Sequence, residues 1–419
     1  MTRMRRALLV ALMAVGAVLL PHAPSASAAE RVITYSVTTQ GAVHGDPGHF
    51  AAVATATLND YRGWSLGGSL AFQQVPSGGD FTLILAAPAV VGGQPGCDAF
   101  YSCRVGRNVY VNDDRWRTAT PSWPHGVPLY QQYVITHEVG HWLGLGHSNC
   151  GTPGRLAATM QQQSISLQGC RSNMWPLIAE RAQVARNFGV GVGWSSIERR
   201  YQELGQERGP MGGPVTWESP TPGNRGWMQH YDRVDGASIY WSPSTGAHEV
   251  YGLIRTRWAQ TGWELGPLGF PVTGELPTPD RWGRMSHFAG SGGGSIYWHP
   301  WTGAHEVYGA IRAHWGALGW ELGPLSYPVT GELPTPDGRG RYNHFARPDG
   351  ASIYWSPSTG AHEVYGAIRA TWAQQGWEAG PLGYPVSGEY SVPGGRQSDF
   401  EHGSIRWDAG RNVIQVLPR

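Results

Sequence analysis

The residues H-E-V-G-H-W-L-G-L-G-H, beginning at His137, have the types and spacing of a metal site. If the segment is helical, His137 and His141 lie one turn apart on the same face, so both imidazoles reach one ion. Gly144 lets the chain leave the helix sharply at little steric cost, and the returning chain brings His147 to the third position. Three nitrogen ligands leave a fourth position open, which is the pattern of a catalytic zinc rather than a closed structural one. Such an ion lowers the pKa of a water and polarises a peptide carbonyl, while Glu138 takes the proton and passes it to the leaving amine. His137, His141 and His147 are therefore the expected Zn2+ ligands and Glu138 the expected catalytic base. The tripeptide His-Glu-Val recurs in A-H-E-V-Y-G at His248, His305 and His362. There the position four residues on is Gly252, Gly309 or Gly366, so each copy offers a single ligand. A ring gathering the three at its centre is conceivable, but the last copy reads N-V-I-Q-V instead. These His or Glu residues are expected to hold the repeat together by hydrogen bonds.

The elements that must carry the site read as mixed α/β. R-V-I-T-Y-S-V-T-T alternates and is rich in β-branched residues, as a strand is. P-G-H-F-A-A-V-A-T-A-T-L-N-D-Y is a helix with Pro47 near its start and Asp46 as its cap. S-L-A-F-Q-Q-V, D-F-T-L-I-L-A-A and R-N-V-Y-V-N-D are further strands, the last expected at the edge of the sheet. L-Y-Q-Q-Y-V-I-T-H-E-V-G-H-W-L-G-L is a helix ending at Gly144 or Gly146. The pair Asp113-Asp114 reads as a solvated strand end, because no further oxygen ligands cluster near it as calcium would need. His44 and His125 have no assigned role.

From about residue 189 the chain repeats itself. Gly-Pro turns begin at Gly209, Gly266, Gly323 and Gly380, 57 residues apart. Each follows a short amphipathic segment in which Ile and an aromatic four residues on share a helical face, closed by a Gly. A polar loop, an aromatic strand such as G-A-S-I-Y-W and then A-H-E-V-Y-G complete the unit. One unit cannot bury its apolar face alone, but stacked or ring-closed neighbours can. Fifteen of the 20 Trp lie here and are expected to form the shared core of the array.

Two resemblances follow from these motifs. The unit resembles LGFP repeats, short modules on surface proteins of actinobacteria, over four copies in residues 194–419. The first copy, G-P-M-G-G-P, departs by lacking the aromatic. The resemblance implies attachment to a cell-envelope polymer. A hemopexin-like propeller is a further option, which the Ile-x-x-x-aromatic helix and the Gly-Pro turn argue against. The site sequence is H-E-x-x-H-x-x-G-x-x-H, the extended zinc motif of metzincin metallopeptidases. Metzincins place a Met in a tight turn beneath the metal. By that resemblance Met160, in A-A-T-M-Q-Q-Q, is the expected Met-turn residue, with Met174 as the second choice. The order zinc motif, Cys150, T-M-Q-Q-Q, Cys170, N-M-W-P resembles a family of secreted actinobacterial metzincin-like domains of uncharacterised function. That resemblance covers residues 31–188, including R-V-I-T-Y, L-N-D-Y-R-G-W and Y-V-I-T-H-E-V-G-H. Snapalysin, a small secreted neutral protease, is similar more distantly, but has Asp where this chain has His147. In metzincins the substrate lies extended along the edge strand of the sheet, which would make R-N-V-Y-V-N-D the substrate-binding strand.

Composition narrows the alternatives. The chain has 419 residues, no Lys, 15% charged residues and a net charge of +1. Without a basic patch it is not expected to bind nucleic acid. M-T-R-M-R-R, an apolar run from Ala7 to Leu20 and P-H-A-P-S-A-S-A-A describe a secretory signal peptide cut after Ala28 or Ala29. A retained anchor helix is the alternative, and no other membrane span appears. An even cysteine count in an exported chain suggests two disulfides. Of three pairings, Cys97–Cys103 and Cys150–Cys170 close short local loops, and the spacings do not suit a thiol metal site.

The expected architecture is therefore a signal peptide (1–29), an α+β metzincin-like domain with a mixed twisted sheet and an active-site helix (30–190), and four LGFP repeats of short helix/β-hairpin modules (191–419). The expected function is a secreted, monomeric zinc metalloendopeptidase acting on protein or peptide and held at the cell envelope. A non-catalytic wall-binding protein and a peptidase of peptidoglycan cross-links are the alternatives.

Overall fold

The computed structural model describes residues 28–418. All but the last two positions of the expected signal peptide lie outside the described residues. The N-terminal part is mixed α/β, and a repeat array of small β and helix modules follows it.

The N-terminal sheet has the order β2–β1–β3–β5–β4, formed by β1 (Arg31–Gln40), β2 (Leu70–Gln74), β3 (Phe81–Ala86), β4 (Cys103–Val105) and β5 (Asn108–Asn112). β1, β2, β3 and β5 run parallel, and β4 pairs antiparallel with β5. Alternation along β1 buries Ile33 and Tyr35 against α1 (Pro47–Asn59), whose first turn is capped by Asp46 accepting from Gly48 N at 2.8 Å. Two short helices, α2 (Pro88–Gly92) and α3 (Asp113–Thr118), flank β5, and α4 (Val127–Trp142) crosses the sheet. Ten successive residues of α4, Tyr130 to Gly140 apart from Gln132, are buried. A helix apolar or enclosed on nearly all sides is a core helix, and α4 packs on α1, α3, β5 and β4. α5 (Ile178–Phe188) closes this part of the fold.

Two expectations fail here. R-N-V-Y-V-N-D is not the edge strand. After β4 the chain turns at Gly106 (φ +59°) and folds back on itself, so β4 takes the edge and β5 is enclosed, with Val109 to Asn112 all buried. Nor is Asp113 a solvated strand end. It is buried, and its carboxylate accepts from His44 N and Gly45 N, both at 2.8 Å.

The array begins with α6 (Ser196–Glu203) and contains four four-stranded antiparallel sheets. In the first, the strands are Ser219–Pro220, Trp227–Tyr231, Ala237–Ser242 and Gly246–Tyr251. The expected hairpin is thus the last two strands of a larger meander. α7 (Gly252–Gln260), α8 (Gly309–Ala317) and α9 (Gly366–Gln374) each leave a last strand directly through a Gly with positive φ. Each helix packs on the sheet that follows it. The cores are accordingly shared. Tyr240, Val250, Ile254 and Trp258 from one unit pack with Leu268, Phe270 and Phe288 from the next. Trp258, Trp315 and Trp372 occupy the same place in successive cores and are wholly buried.

Repeated ion pairs lock these shared cores. Arg200 on α6 binds Glu249 at 2.7 and 3.0 Å, Arg257 on α7 binds Glu306, and His314 on α8 binds Glu363 at 2.5 Å. Each Glu belongs to A-H-E-V-Y-G of the unit whose sheet the helix covers. The preceding His faces its own turn: His248, His305 and His362 bond Thr245 O, Thr302 O and Thr359 O at 2.7–2.8 Å. The expectation that these residues hold the repeat together is what the structure shows.

The two parts of the chain meet closely. Arg181 of α5 is fully buried and pairs with Glu198 of α6, while Arg155 pairs with Asp232 at 2.5 Å and with Glu207 at 3.1 Å. Arg155 also explains the aberrant first Gly-Pro turn. A Cβ on Gly213 would come within 2.4 Å of Arg155 Nε, so the aromatic of the other copies is excluded where this side chain lies.

Candidate metal centre

α4 presents His137 and His141 one turn apart, as the sequence requires of a helix, and Gly144 ends it with φ +94°. Leu145 N returns to Gly140 O at 3.0 Å, tightening the exit. The chain then runs back beneath α4, where Ser148 N bonds Met160 O at 3.1 Å and fixes the segment that carries His147. One nitrogen from each of His137, His141 and His147 lies within 4.8 Å of the others, and they form the one such cluster of three or more metal-ligating residues among the described residues.

The imidazoles are oriented from behind. His137 Nδ1 is 2.8 Å from Thr159 O, and His141 Nδ1 is 2.9 Å from Leu145 O. Carbonyl acceptors on Nδ1 place the proton there and leave Nε2 unprotonated and facing the cluster, which is how ligating histidines are commonly held. His141 Nε2 and His147 Nε2 are 3.0 Å apart. Burial pushes the His137 pKa down to about 3, with the neighbouring His141 and His147 adding to it, and burial lowers His141 and His147 as well. The three rings are therefore neutral near pH 7, the state in which imidazole binds a metal. The donor set fits zinc.

Glu138 sits beside them, buried, and burial raises its carboxyl to about 8 against a modest pull downward from Arg104. Glu138, the three histidines, Tyr133 and β4 line one cleft of about 930 Å³. β4, rather than β5, is thus the edge strand that borders the site. The structure bonds Cys97 to Cys103 at one rim of this cleft, and Cys150 to Cys170 at the base of the loop following His147.

Met160 lies under the site. A Cβ on Gly140 would come within 2.4 Å of Met160 Sδ, so glycine at 140 is what lets the thioether pack against α4 between the two helical histidines. Met174 is buried in the same core, away from that contact. Glu180, which sequence reasoning passed over, anchors the turn. Its carboxylate accepts from Thr159 N at 3.0 Å, Met160 N at 2.8 Å and Leu177 N at 2.8 Å. The same Thr159 orients His137 through its carbonyl. A half-buried acid in the first turn of α5 gave no motif to find, because two of its three partners are backbone groups about 20 residues away.

His125 stands outside the cluster, packed between Trp123 and Trp217, and His44 is held through its backbone on Asp113. A largely apolar pocket lies elsewhere, between the N-terminal part and the first repeat, lined by Trp175, Trp217 and Tyr201.

No curated protein matches the chain. Among solved structures, archaemetzincin from Methanopyrus kandleri is similar at 16% identity, over 38% of this chain and 96% of that one, with a TM-score of 0.26. A likeness at that score carries no argument. Residues 17–183 match the family described as a protein of unknown function, DUF3152, and residues 211–266, 268–323, 325–380 and 382–416 each match the LGFP repeat.

Proposed function

We propose that the protein is an exported zinc-dependent metalloendopeptidase of metzincin type, held at the cell envelope by its LGFP repeats. The observation that carries this reading is the convergence of three neutral imidazoles on one point of a cleft, beside a buried carboxyl. His137, His141 and His147 would hold the ion. When bound, zinc supplies a Lewis acid that polarises the scissile carbonyl. Glu138 takes the proton of the attacking water and delivers it to the leaving amine. Burial supports that role, because a carboxyl raised to about 8 gives up and regains a proton near neutrality. β4 leaves one backbone edge unpaired at the cleft, and an extended peptide adds naturally to such an edge. Met160 and Glu180 are positioning residues that act through His137.

The domain reading follows the same lines: a signal peptide over 1–29, the peptidase over 30–190 and the envelope-binding repeats over 191–419. No helix among the described residues is long and apolar enough to cross a membrane. Metal analysis tests the centre. The chain lacking residues 1–29 is expected to bind one zinc and to gain thermal stability from it, and His141→Ala to lose both. Zinc bound equally by the variant would place the ion elsewhere and end this reading.

A further inference from the structure

The outer side of the array carries one group of side chains three times over. In the first copy Arg255 Nε donates to Ser238 Oγ at 2.7 Å, and Ser238 Oγ is 2.7 Å from His230 Nδ1. The second repeats this with Arg312, Ser295 and His287 at 2.6 and 2.7 Å, the third with Arg369, Ser352 and His344 at 2.7 and 2.7 Å. The serines are fully buried. Each serine accepts from arginine and has its own hydroxyl proton to offer His Nδ1; with that bond made, the neutral imidazole carries its proton on Nε2. Burial lowers all three histidines, His230 and His344 to about 4, so they are neutral at pH 7.

Each guanidinium lies over a tryptophan, 4.9 Å from Trp263, 5.1 Å from Trp320 and 4.9 Å from Trp377. These tryptophans all have left-handed backbone, φ +55°, +57° and +56°, a conformation that costs a bulky residue and clusters at functional sites. Glycines make room for the arginines: a Cβ on Gly236, Gly293 or Gly350 would meet Nη1 at 2.7, 2.9 or 2.8 Å. Among the described residues no carboxylate pairs with Arg255, Arg312 or Arg369, although Arg200, Arg233, Arg257, Arg284, Arg347 and Arg396 in the same array all have one. In the first copy the group opens into a cleft of about 500 Å³ lined by His230, Arg255 and Trp263. The one acid on its wall, Glu264, is only 2% exposed and is raised by burial.

The pattern stops at both ends. The place of the arginine in α6 is taken by Glu198, which pairs with Arg181, and the place of the histidine in the last sheet by Asp399, which accepts from Ser404 at 2.7 Å. The group recurs at each of the three positions where a sheet and its following helix are both repeat-derived.

We propose that these three side-chain groups are anion subsites, which hold successive carboxylate or phosphate groups of one extended envelope polymer. The inference rests on the reading that the repeats bind the envelope, and it names the chemistry of what they bind. Each subsite offers guanidinium N–H donors beside an imidazole, and half-burial strengthens such charge-assisted bonds. Three subsites on one rigid array add their affinities through effective concentration.

The test is calorimetric titration of the chain lacking residues 1–29 with poly(glycerol phosphate), with polygalacturonate and with neutral dextran. Binding is expected to one or both polyanions, to weaken steeply with added salt, and to be absent for dextran; which polyanion binds distinguishes phosphate from carboxylate. Arg255→Gln, Arg312→Gln and Arg369→Gln together are expected to weaken binding by roughly tenfold or more. The variant's fold is checked by its retained zinc uptake and circular dichroism. Failure of the wild type to bind either polyanion, or equal binding of dextran, overturns the proposal whatever the variant does, as does an intact triple variant that binds undiminished. Sedimentation with isolated cell envelopes separates the two levels: envelope binding that survives in the triple variant keeps the envelope reading and removes this one.

Discussion

The same three letters, His-Glu-Val, lie on a helix at residue 137 and on strands at 248, 305 and 362, and the two settings give them opposite work. On α4 the 3.6-residue period sets His137 above His141, so spacing along the sequence becomes convergence in space. On a strand the period of two sends His and Glu to opposite faces. His248 turns back to its own loop while Glu249 crosses to Arg200 of the preceding helix. Glu138 is left without a cationic partner in contact and is raised by burial, whereas Glu363 is lowered: burial pushes it up, but the hydrogen bond and charge of His314 outweigh that. A tripeptide therefore says little by itself. The element that carries it decides whether it is chemistry or mortar.

Substitutions can break or sharpen this contrast. The largest effect is expected at Glu138. Glu138→Gln should lower kcat/KM for peptide cleavage by about a thousandfold, the scale of a lost general base, with zinc content unchanged. The glutamates of the strands should behave oppositely. Arg257→Ala strands Glu306, whose side chain is 5% exposed, and should lower the stability of the array by about 2–3 kcal/mol, read as an earlier thermal transition with peptidase activity intact. Glu180→Gln removes charge from three backbone N–H bonds behind His137 and should weaken zinc affinity roughly tenfold or more, by competition with a chelator. His314→Arg should be the smallest. It makes the third junction like the first two, and a gain of under about 1 kcal/mol at pH 7 is expected. Because Glu363 is held below its ordinary range, its contribution is present above that range and is lost as the pH falls through the lowered value. Acid should therefore loosen this junction, and a pH series of the array's melting temperature checks it.

The helical histidines, Gly144 and His147 were legible because a single local element and one turn set their geometry. The repeat was legible because its period recurs four times. What escaped is non-local. β4 displaced β5 from the edge through a tight turn at Gly106 that three residues of strand do not announce. Asp113 and Glu180 were missed because their partners are backbone N–H groups, most of them far away in sequence, and a backbone partner leaves no residue type to notice. The pairing of Arg200, Arg257 and His314 with glutamates 49 residues on is written in the repeat, but only the packing of each helix on the next sheet reveals it. Arg155 gives a reason for the missing aromatic of G-P-M-G-G-P that no inspection of the repeat alone would supply.

The burial of Arg181 and the pairing of Arg155 with Asp232 also mean that the N-terminal part and the array depend on each other. The measurement that tests the central claim most directly is cleavage of an unbiased peptide library by the zinc-loaded chain lacking residues 1–29, beside Glu138→Gln at equal zinc content. The account predicts cleavage by the wild type alone, at sites that define its specificity. Zinc bound by both and cleavage by neither would contradict it, and would make the three histidines a metal site without peptidase chemistry.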